Sequence, residues 1–287
     1  MTIDTRIAIG AELPEVSFSW TPSDVARYHL AVGAATDPTD RAGLAYVDDV
    51  APKVLPSFAT VAASLHTTEP PQVSFPGVNI DLAKVVHGSQ QVVAHRPLPA
   101  RGKAMTRTRI AAIQDKGSAA VIILEGVTRD ESGELLWTTR SSIFAKGEGG
   151  FGGERGTSRK VQYPDREPDY RVSVPTLPQQ ALLYRLCGDR NPLHSDPEFA
   201  AKAGFTRPIL HGLCTYGMVF RAIVDTLCGG DVAAIGDFSA TFAGVVYPGE
   251  ELVVSVWVDG EQLVATVAVS DREGAPALAN VVCSQAG

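Results

Sequence analysis

Residues 188–194 read GDRNPLH. The acid Asp189 and the imidazole His194 stand five residues apart, with the amide of Asn191 between them. Pro192 has no backbone N–H and cannot continue a helix, so the pair sits on a loop. A loop can turn both side chains into one cleft. An acid and an imidazole that reach one water can hold it, take its proton and return a proton elsewhere. Asn191 can cap or cross-link the turn through its amide. Taken alone, D-x-N-P-x-H reads best as a capped turn between helices.

A third chemical group lies shortly after the loop. The stretch TRPILHGLCTYG (206–217) places Gly212 at the start of an apolar helix. The first N–H groups of a helix have no partner inside it, and the helix dipole makes that end electropositive. Glycine lets a ligand approach the backbone closely. Such an end can stabilise a carbonyl oxygen whose charge grows during reaction. Gly212 alone would be explained by tight packing. Acid, imidazole and oxyanion donor together form the set that adds water to a conjugated carbonyl.

These residues must be held by elements that the pattern also predicts. In the first half, Thr21 caps a helix with Pro22 at its first position and Asp24 at its third. A second helix is expected over SFATVAASLH (57–66). Strands come next at QQVVAHR, KAMTRTRIAAI, AAVIILEGVT and LLWTTRSSIF, separated by PLPARG, DKGS and DESGE. The second half repeats this order. A short helix (179–187) leads into the GDRNPLH loop. Asp196 caps another, with Pro197 at its start and Gly204 at its end, and the apolar helix 212–225 comes next. DFSATFAGVV, ELVVSVWV, QLVATVAVS and PALANVVCS then read as a meander, with a hairpin signal at DGE. A helix apolar almost all round is buried on most sides. A curved antiparallel sheet wrapped around one such helix, twice in one chain, is an α+β double hot-dog architecture. Two sheets side by side would each bury an edge. The glycine-rich segment GEGGFGGERGTSRK (147–160) reads as an exposed linker between a module at 1–146 and a module at 161–287.

Composition excludes several classes. The 287 residues carry a net charge of −7 and show no Lys/Arg cluster, which argues against nucleic acid. The four cysteines (Cys187, Cys214, Cys228, Cys283) form no CxxC pair and read as buried thiols. No signal peptide or membrane span is indicated, so a cytoplasmic protein is expected. The segment GEGGFGG lacks a following GK[ST], which rejects a phosphate loop. No spacing suggests the three or four convergent ligands of a zinc site.

The stretch YRLCGDRNPLHSDPEFAAKAGFTRPILHGLCTYG (184–217) resembles the signature of the MaoC-like, type 2 enoyl-CoA hydratases. The first half resembles the degenerate partner module of double hot-dog members, through HGSQQVVAHRPLPARGK (87–103). Two positions depart from the pattern: Cys187 where a small residue is usual, and Ser89 where many relatives carry Glu. The resemblance implies (R)-specific hydration of trans-2-enoyl-CoA, in fatty acyl or sterol side-chain β-oxidation. It implies no metal or redox cofactor, coenzyme A being part of the substrate. Asp189 and His194 become the catalytic pair, Asn191 supports water and loop, and the Gly212 N–H polarises the thioester carbonyl. The first half has no GDxNPxH. Its AVGAATDPTD (31–40) keeps Asp37 without a following His, so that half is expected to be silent and to wall the acyl chain. A homodimer is expected as well. The alternatives are dehydration of a 3-hydroxyacyl thioester in fatty acid synthesis and a non-catalytic acyl-CoA binding module.

The remaining candidates carry less. Arg190, Lys202 and Arg207 are near enough in sequence to reach coenzyme A phosphates, and Phe58 is the large side chain to test for acyl selectivity. His211 reads first as a packing residue at the helix start and second as a substrate contact. His87 and His95 lie on predicted strands and read as structural. His29 and His66 fall on predicted helices as surface or core polar residues.

Overall fold

Twelve strands and six helices succeed one another in the computed structural model, which describes residues 2–70, 74–80, 85–157 and 160–285. Residues 1, 71–73 and 81–84 of the first predicted module, 158–159 of the predicted linker and 286–287 of the second module lie outside these. The first half holds β1 (Thr2–Ile3), α1 (Thr5–Ala8), β2 (Val16–Trp20), α2 (Pro22–Ala31), α3 (Arg41–Leu44), β3 (Val78–Asn79), β4 (Val85–Ala94), β5 (Gly102–Asp115), β6 (Ala119–Asp130) and β7 (Leu135–Lys146). The second holds β8 (Tyr170–Pro175), α4 (Gln180–Tyr184), α5 (Pro197–Lys202), α6 (Gly212–Leu227), β9 (Asp237–Phe242), β10 (Glu251–Asp259), β11 (Gln262–Val269) and β12 (Ala275–Ser284).

Ten of the strands make one antiparallel sheet in the order β2-β5-β6-β7-β4-β9-β12-β11-β10-β8. The halves meet where β4 pairs with β9, from Ser89 opposite Thr241 to Val93 opposite Asp237. The edge-to-edge packing expected from the sequence is therefore a continuous hydrogen-bonded ladder. Gln91 reinforces it, its Nε2 donating to the Asp237 carboxylate at 2.8 Å.

Local signals set the helices where the sequence places them. Thr21 and Asp24 form a reciprocal capping box at the start of α2. Asp196 caps α5 through the Glu198 and Phe199 N–H groups. The α6 helix is buried along most of its length, against the second-half strands and against α2. Gly217 is what lets α2 come so close. A Cβ there would fall 2.6 Å from the Tyr28 hydroxyl and 2.7 Å from Val32. Side chains then tie the halves together. Tyr46 donates to Asp225 at 2.7 Å, and Gln180 donates to the Ala31 carbonyl at 2.7 Å.

One expectation is corrected. SFATVAASLH is not a long helix: a five-residue 3-10 turn spans Pro56–Thr60, with irregular turns after it. Its apolar, small residues are buried by the surrounding core, which mimics the signal of a buried helix. The glycine-rich stretch is largely exposed and is tied down at a few points. The Asp115 carboxylate accepts the N–H groups of Gly117, Gly150 and Gly152 at 2.8–2.9 Å. Phe151 packs on the small cluster of Ala8, Phe75, Ile110, Ile113 and Ile122. The glycines permit this strap, since a Cβ on Gly149 would meet the Ala119 nitrogen at 2.5 Å.

Gly217→Ala is expected to destabilise the chain by about 1–3 kcal/mol, the usual cost of overpacking a filled core. A chemical denaturation midpoint equal to that of the wild type would show that α2 can move off α6.

Candidate active site

The GDRNPLH loop begins where Gly188 closes the 3-10 turn Arg185–Cys187 with φ +107°. That left-handed backbone favours glycine. Space demands it too, because a Cβ would sit 1.8 Å from the Ser64 carbonyl oxygen. The loop is thus pressed onto the first half, and Arg190 adds a bond from its Nε to the Thr67 carbonyl at 3.3 Å. The Asp189 carboxylate accepts the Asn191 N–H at 3.1 Å, and the Asn191 side-chain Oδ1 accepts the Leu193 N–H at 3.0 Å. Asn191 so caps the short turn Pro192–His194 that presents the imidazole.

His194 is buried, and its Nδ1 lies 2.9 Å from the Ile209 carbonyl. A carbonyl only accepts, so Nδ1 carries the proton and the neutral ring keeps a bare Nε2. Burial lowers the pKa of His194; the Ile209 carbonyl and the Asp189 carboxylate oppose that shift without cancelling it. The imidazole is therefore neutral near pH 7 and able to accept a proton.

His211 stacks on His194, with ring centroids 3.7 Å apart and 29° between planes. Its Nε2 is 3.4 Å from the Asp189 carbonyl, and its buried Nδ1 has no partner. Burial, then the neighbouring His194, pushes its pKa well down. The next residue, Gly212, opens α6, where no carbonyl lies one turn back to accept its N–H. The Phe242 ring lies against it, 2.9 Å from where a Cβ would be. Across that ring sits His87, centroids 4.7 Å apart, half-buried with its Nε2 enclosed, its pKa lowered to about 4 mainly by desolvation, although it feels the Asp189 charge.

The structure thus gathers Asp189, Asn191, His194, His211 and Gly212 around one junction of loop and helix. Lys202 and Arg207 are exposed on α5 and the loop after it. Arg207 lies over the Tyr247 ring at 5.0 Å. Phe58 is fully buried against Trp20 and Tyr28. His87 was read only as a structural strand residue and Phe242 was not singled out, because only the β4–β9 pairing brings them to the loop. His29 is a core residue bonded to the Tyr46 carbonyl and the Leu55 N–H, and burial holds it at about 3.

A carboxylate oxygen of Asp189 and ring nitrogens of His194 and His211 lie within 4.8 Å of one another. They make a poor metal cradle. An imidazole holds a zinc ion in its ring plane at about 2.0–2.1 Å. Two nearly parallel rings 3.7 Å apart cannot both aim their lone pairs at one ion.

The chain matches two family models, a MaoC like domain over residues 159–275 and an MFE-2 hydratase 2 N-terminal domain over residues 18–147. It is 56% identical over 281 residues to the enoyl-CoA hydratase ChsH3 of Mycobacterium tuberculosis, covering 98% of each chain. The chain belongs to the MaoC-like hydratase family. It is also 38% identical to the peroxisomal enoyl-CoA hydratase 2 of Arabidopsis thaliana, over 94% of this chain and 92% of that one. Among solved structures, a MaoC-like dehydratase from Phytophthora capsici superposes with a TM-score of 0.88 at 28% identity, covering 99% and 98% of the two chains. A Mycobacterium tuberculosis protein with a double hotdog fold shares the architecture alone, at a TM-score of 0.54, 12% identity and coverage of 98% and 96%. The expected α+β double hot-dog fold is thus that of this MaoC-like protein, with the first-half helix reduced to a turn.

The buried imidazoles have two measurable outcomes. The acid limb of kcat/KM is expected below the ordinary histidine value of about 6.5, because His194 must lose its proton to act. A limb above that value would mean that His194 is charged in the resting protein. Stability has the same sign. His29, His87, His194 and His211 all have lowered values, so the unfolded chain binds more protons as pH falls. Their contribution is complete above about pH 6.5 and is lost as pH drops toward 3–4, the values of His29 and His87. Denaturation midpoints that stay level from pH 7 to about 5 would contradict it.

Proposed function

We propose that this MaoC-like chain catalyses (R)-specific hydration of trans-2-enoyl-CoA to the 3-hydroxyacyl thioester. The observation that carries the reading is the shared junction of an acid, a neutral imidazole with a free Nε2 and an unpartnered helix N–H. Water between Asp189 and His194 gives its proton to His194 Nε2 as its oxygen bonds to C3. The double-bond electrons move to the thioester oxygen, where the Gly212 N–H holds the charge. The enolate then collapses and C2 takes a proton from the pair, so that H and OH are added across C2 and C3. Asp189 holds the water and steadies the imidazolium, and Asn191 keeps loop and water in place. His211 keeps the His194 ring in its plane.

The same path in reverse is dehydration of a 3-hydroxyacyl thioester. A purely binding module would have no need of a carboxylate and imidazole so arranged. The first half, 1–146, serves as the silent wall for the acyl group, joined through 147–160 to the catalytic half, 161–287. No metal, flavin or nicotinamide takes part. The protein works in the cytoplasm as a homodimer, without nucleic acid or membrane. Among the described residues, no helix is long and apolar enough to cross a membrane. Arg190, Lys202 and Arg207 are the basic side chains offered to the coenzyme A phosphates.

Asp189→Asn and His194→Gln are each expected to lower turnover of crotonyl-CoA on the order of 10²–10⁴-fold, the usual yield of general acid–base catalysis. Turnover by the wild type should survive exhaustive dialysis against a chelator. Near-normal rates in either variant, or activity lost on chelation and restored by zinc, would overturn the mechanism.

A further inference from the structure

The outer face of the sheet, turned away from Gln90 and Ala240, carries a cavity of about 210 Å³ at the seam between the halves. Cross-strand register builds its floor. On that face Ser142 of β7, Ser89 of β4 and Thr241 of β9 stand in one row, and Arg140, Gln91 and Ser239 stand in the next. All six line the cavity. Strands β7 and β4 belong to the first half and β9 to the second, so the floor straddles the joining ladder.

A residue in an unusual conformation builds one wall. Asn280 on β12 has φ +51°, where the ladder to β9 shifts register. That left-handed backbone is sparsely populated, and Asn is among the few side chains that tolerate it. Here it is held from two sides. The Asn280 N–H donates to the Tyr163 hydroxyl at 2.9 Å, and its Oδ1 accepts the Val161 N–H at 3.0 Å. Val161 is thereby fixed beside the cavity, which it also lines.

The polar groups of the lining are rich in free donors. Ser89 and Ser142 share a hydrogen bond of 2.7 Å. Two hydroxyls bring two protons and use one between them, so one O–H remains to donate. Thr241 Oγ1 accepts from Asn280 Nδ2 at 3.3 Å and keeps its own proton to give. Among the described residues, the Ser239 hydroxyl has no partner. Arg140 uses Nη1 alone, on Glu125 at 3.1 Å, which leaves most of its five donors free. No acid is among the described residues of the lining. Two carboxylates on the same face already have partners. Glu125 lies between Arg109 at 2.6 Å and Arg140, and Asp237 takes the Gln91 Nε2 on its two oxygens at 2.8 and 3.0 Å.

We propose that this cavity is a binding site for a small tetrahedral oxyanion, inorganic phosphate or sulfate, held by Arg140 and by the Ser239 and Thr241 hydroxyls. Donors reach the space from three strands, which suits an ion with acceptor oxygens on every side. A bound ion would bridge the two halves and stabilise the folded chain by mass action. The site faces away from the concave side and does not depend on the hydratase reading.

Isothermal titration of the whole chain in chloride buffer, with sodium phosphate and separately with sodium sulfate, reads the site directly. One ion per chain is expected, with a Kd of about 1 mM or tighter. Arg140→Gln is expected to weaken binding at least about tenfold, through loss of a charge-assisted bond. Ser239→Ala and Thr241→Val should each weaken it about three- to tenfold, the worth of one hydrogen bond. Phosphate should also raise the thermal midpoint of the wild type more than that of Arg140→Gln. That difference cancels the general stabilising effect of such salts. Far-UV circular dichroism and a cooperative unfolding transition establish that each variant is folded. No binding of either anion by the wild type at about 20 mM, well above the expected Kd, overturns the proposal. So does wild-type affinity in folded Arg140→Gln, or in both hydroxyl variants.

Discussion

The pairing of β4 with β9 is the constraint on which the rest of the molecule depends. It turns two half-sheets into one and gives the chain a main core that runs from Trp20 to Cys283, beside the small cluster around Ile110. Both α2 and the turn 56–66 are then pressed against the second half, where they meet α6 and Gly188. The GDRNPLH loop consequently rests on residues far away in sequence. The same ladder brings His87 to Phe242 and thereby closes the space above Gly212. A one-residue slip would flip every side chain of β4 to the other face. Gln91 and Asp237 on the outer face, and Gln90 with Ala240 on the inner one, fix the register.

Burial does two kinds of work at the site. It favours the neutral form of His194, which leaves Nε2 able to accept a proton, and it strengthens any charge interaction formed there. The cost is a set of polar atoms that must be satisfied or tolerated. Backbone carbonyls answer part of it: Ile209 fixes the His194 tautomer and Asp189 faces the Nε2 of His211. The His211 Nδ1 has no hydrogen-bond partner among the described residues, and the Tyr184 ring centroid lies 5.0 Å from that of His211. Its ring stack with His194 also means that a charge on His194 disfavours protonation of His211.

Features of the fold that were legible in the sequence rest on local chemistry. A capping box at Thr21, the Asp196–Pro197 start of α5 and the apolar run of α6 need only their neighbours to form. The loop chemistry was legible for the same reason, since Asp189, Asn191 and His194 act within one turn. Strands β2 and β8 were not expected. They are short edge strands, with several side chains exposed, and so lack a clear apolar alternation. The turn at 56–60 looked like a helix because burial, not periodicity, selects its small apolar residues. Gly188 gave no sign of its role. Only the Ser64 carbonyl, 124 residues earlier in the chain, explains why nothing larger fits.

The missing helix leaves a cavity between the turn 56–66 and strands β5, β6 and β7, and the lining of that cavity settles its cost in stability. Leaving a void of about 260 Å³ with apolar walls would cost about 6 kcal/mol at roughly 24 cal/mol per Å³. That is comparable with the whole net stability of an ordinary domain, about 5–15 kcal/mol. Hydroxyl walls avoid the cost, because water can occupy the space and bond to them. The Thr and Ser side chains of β5, β6 and β7 thus let the first half keep an open concave face without collapsing on it. A ligand that enters must replace the bonds those waters made.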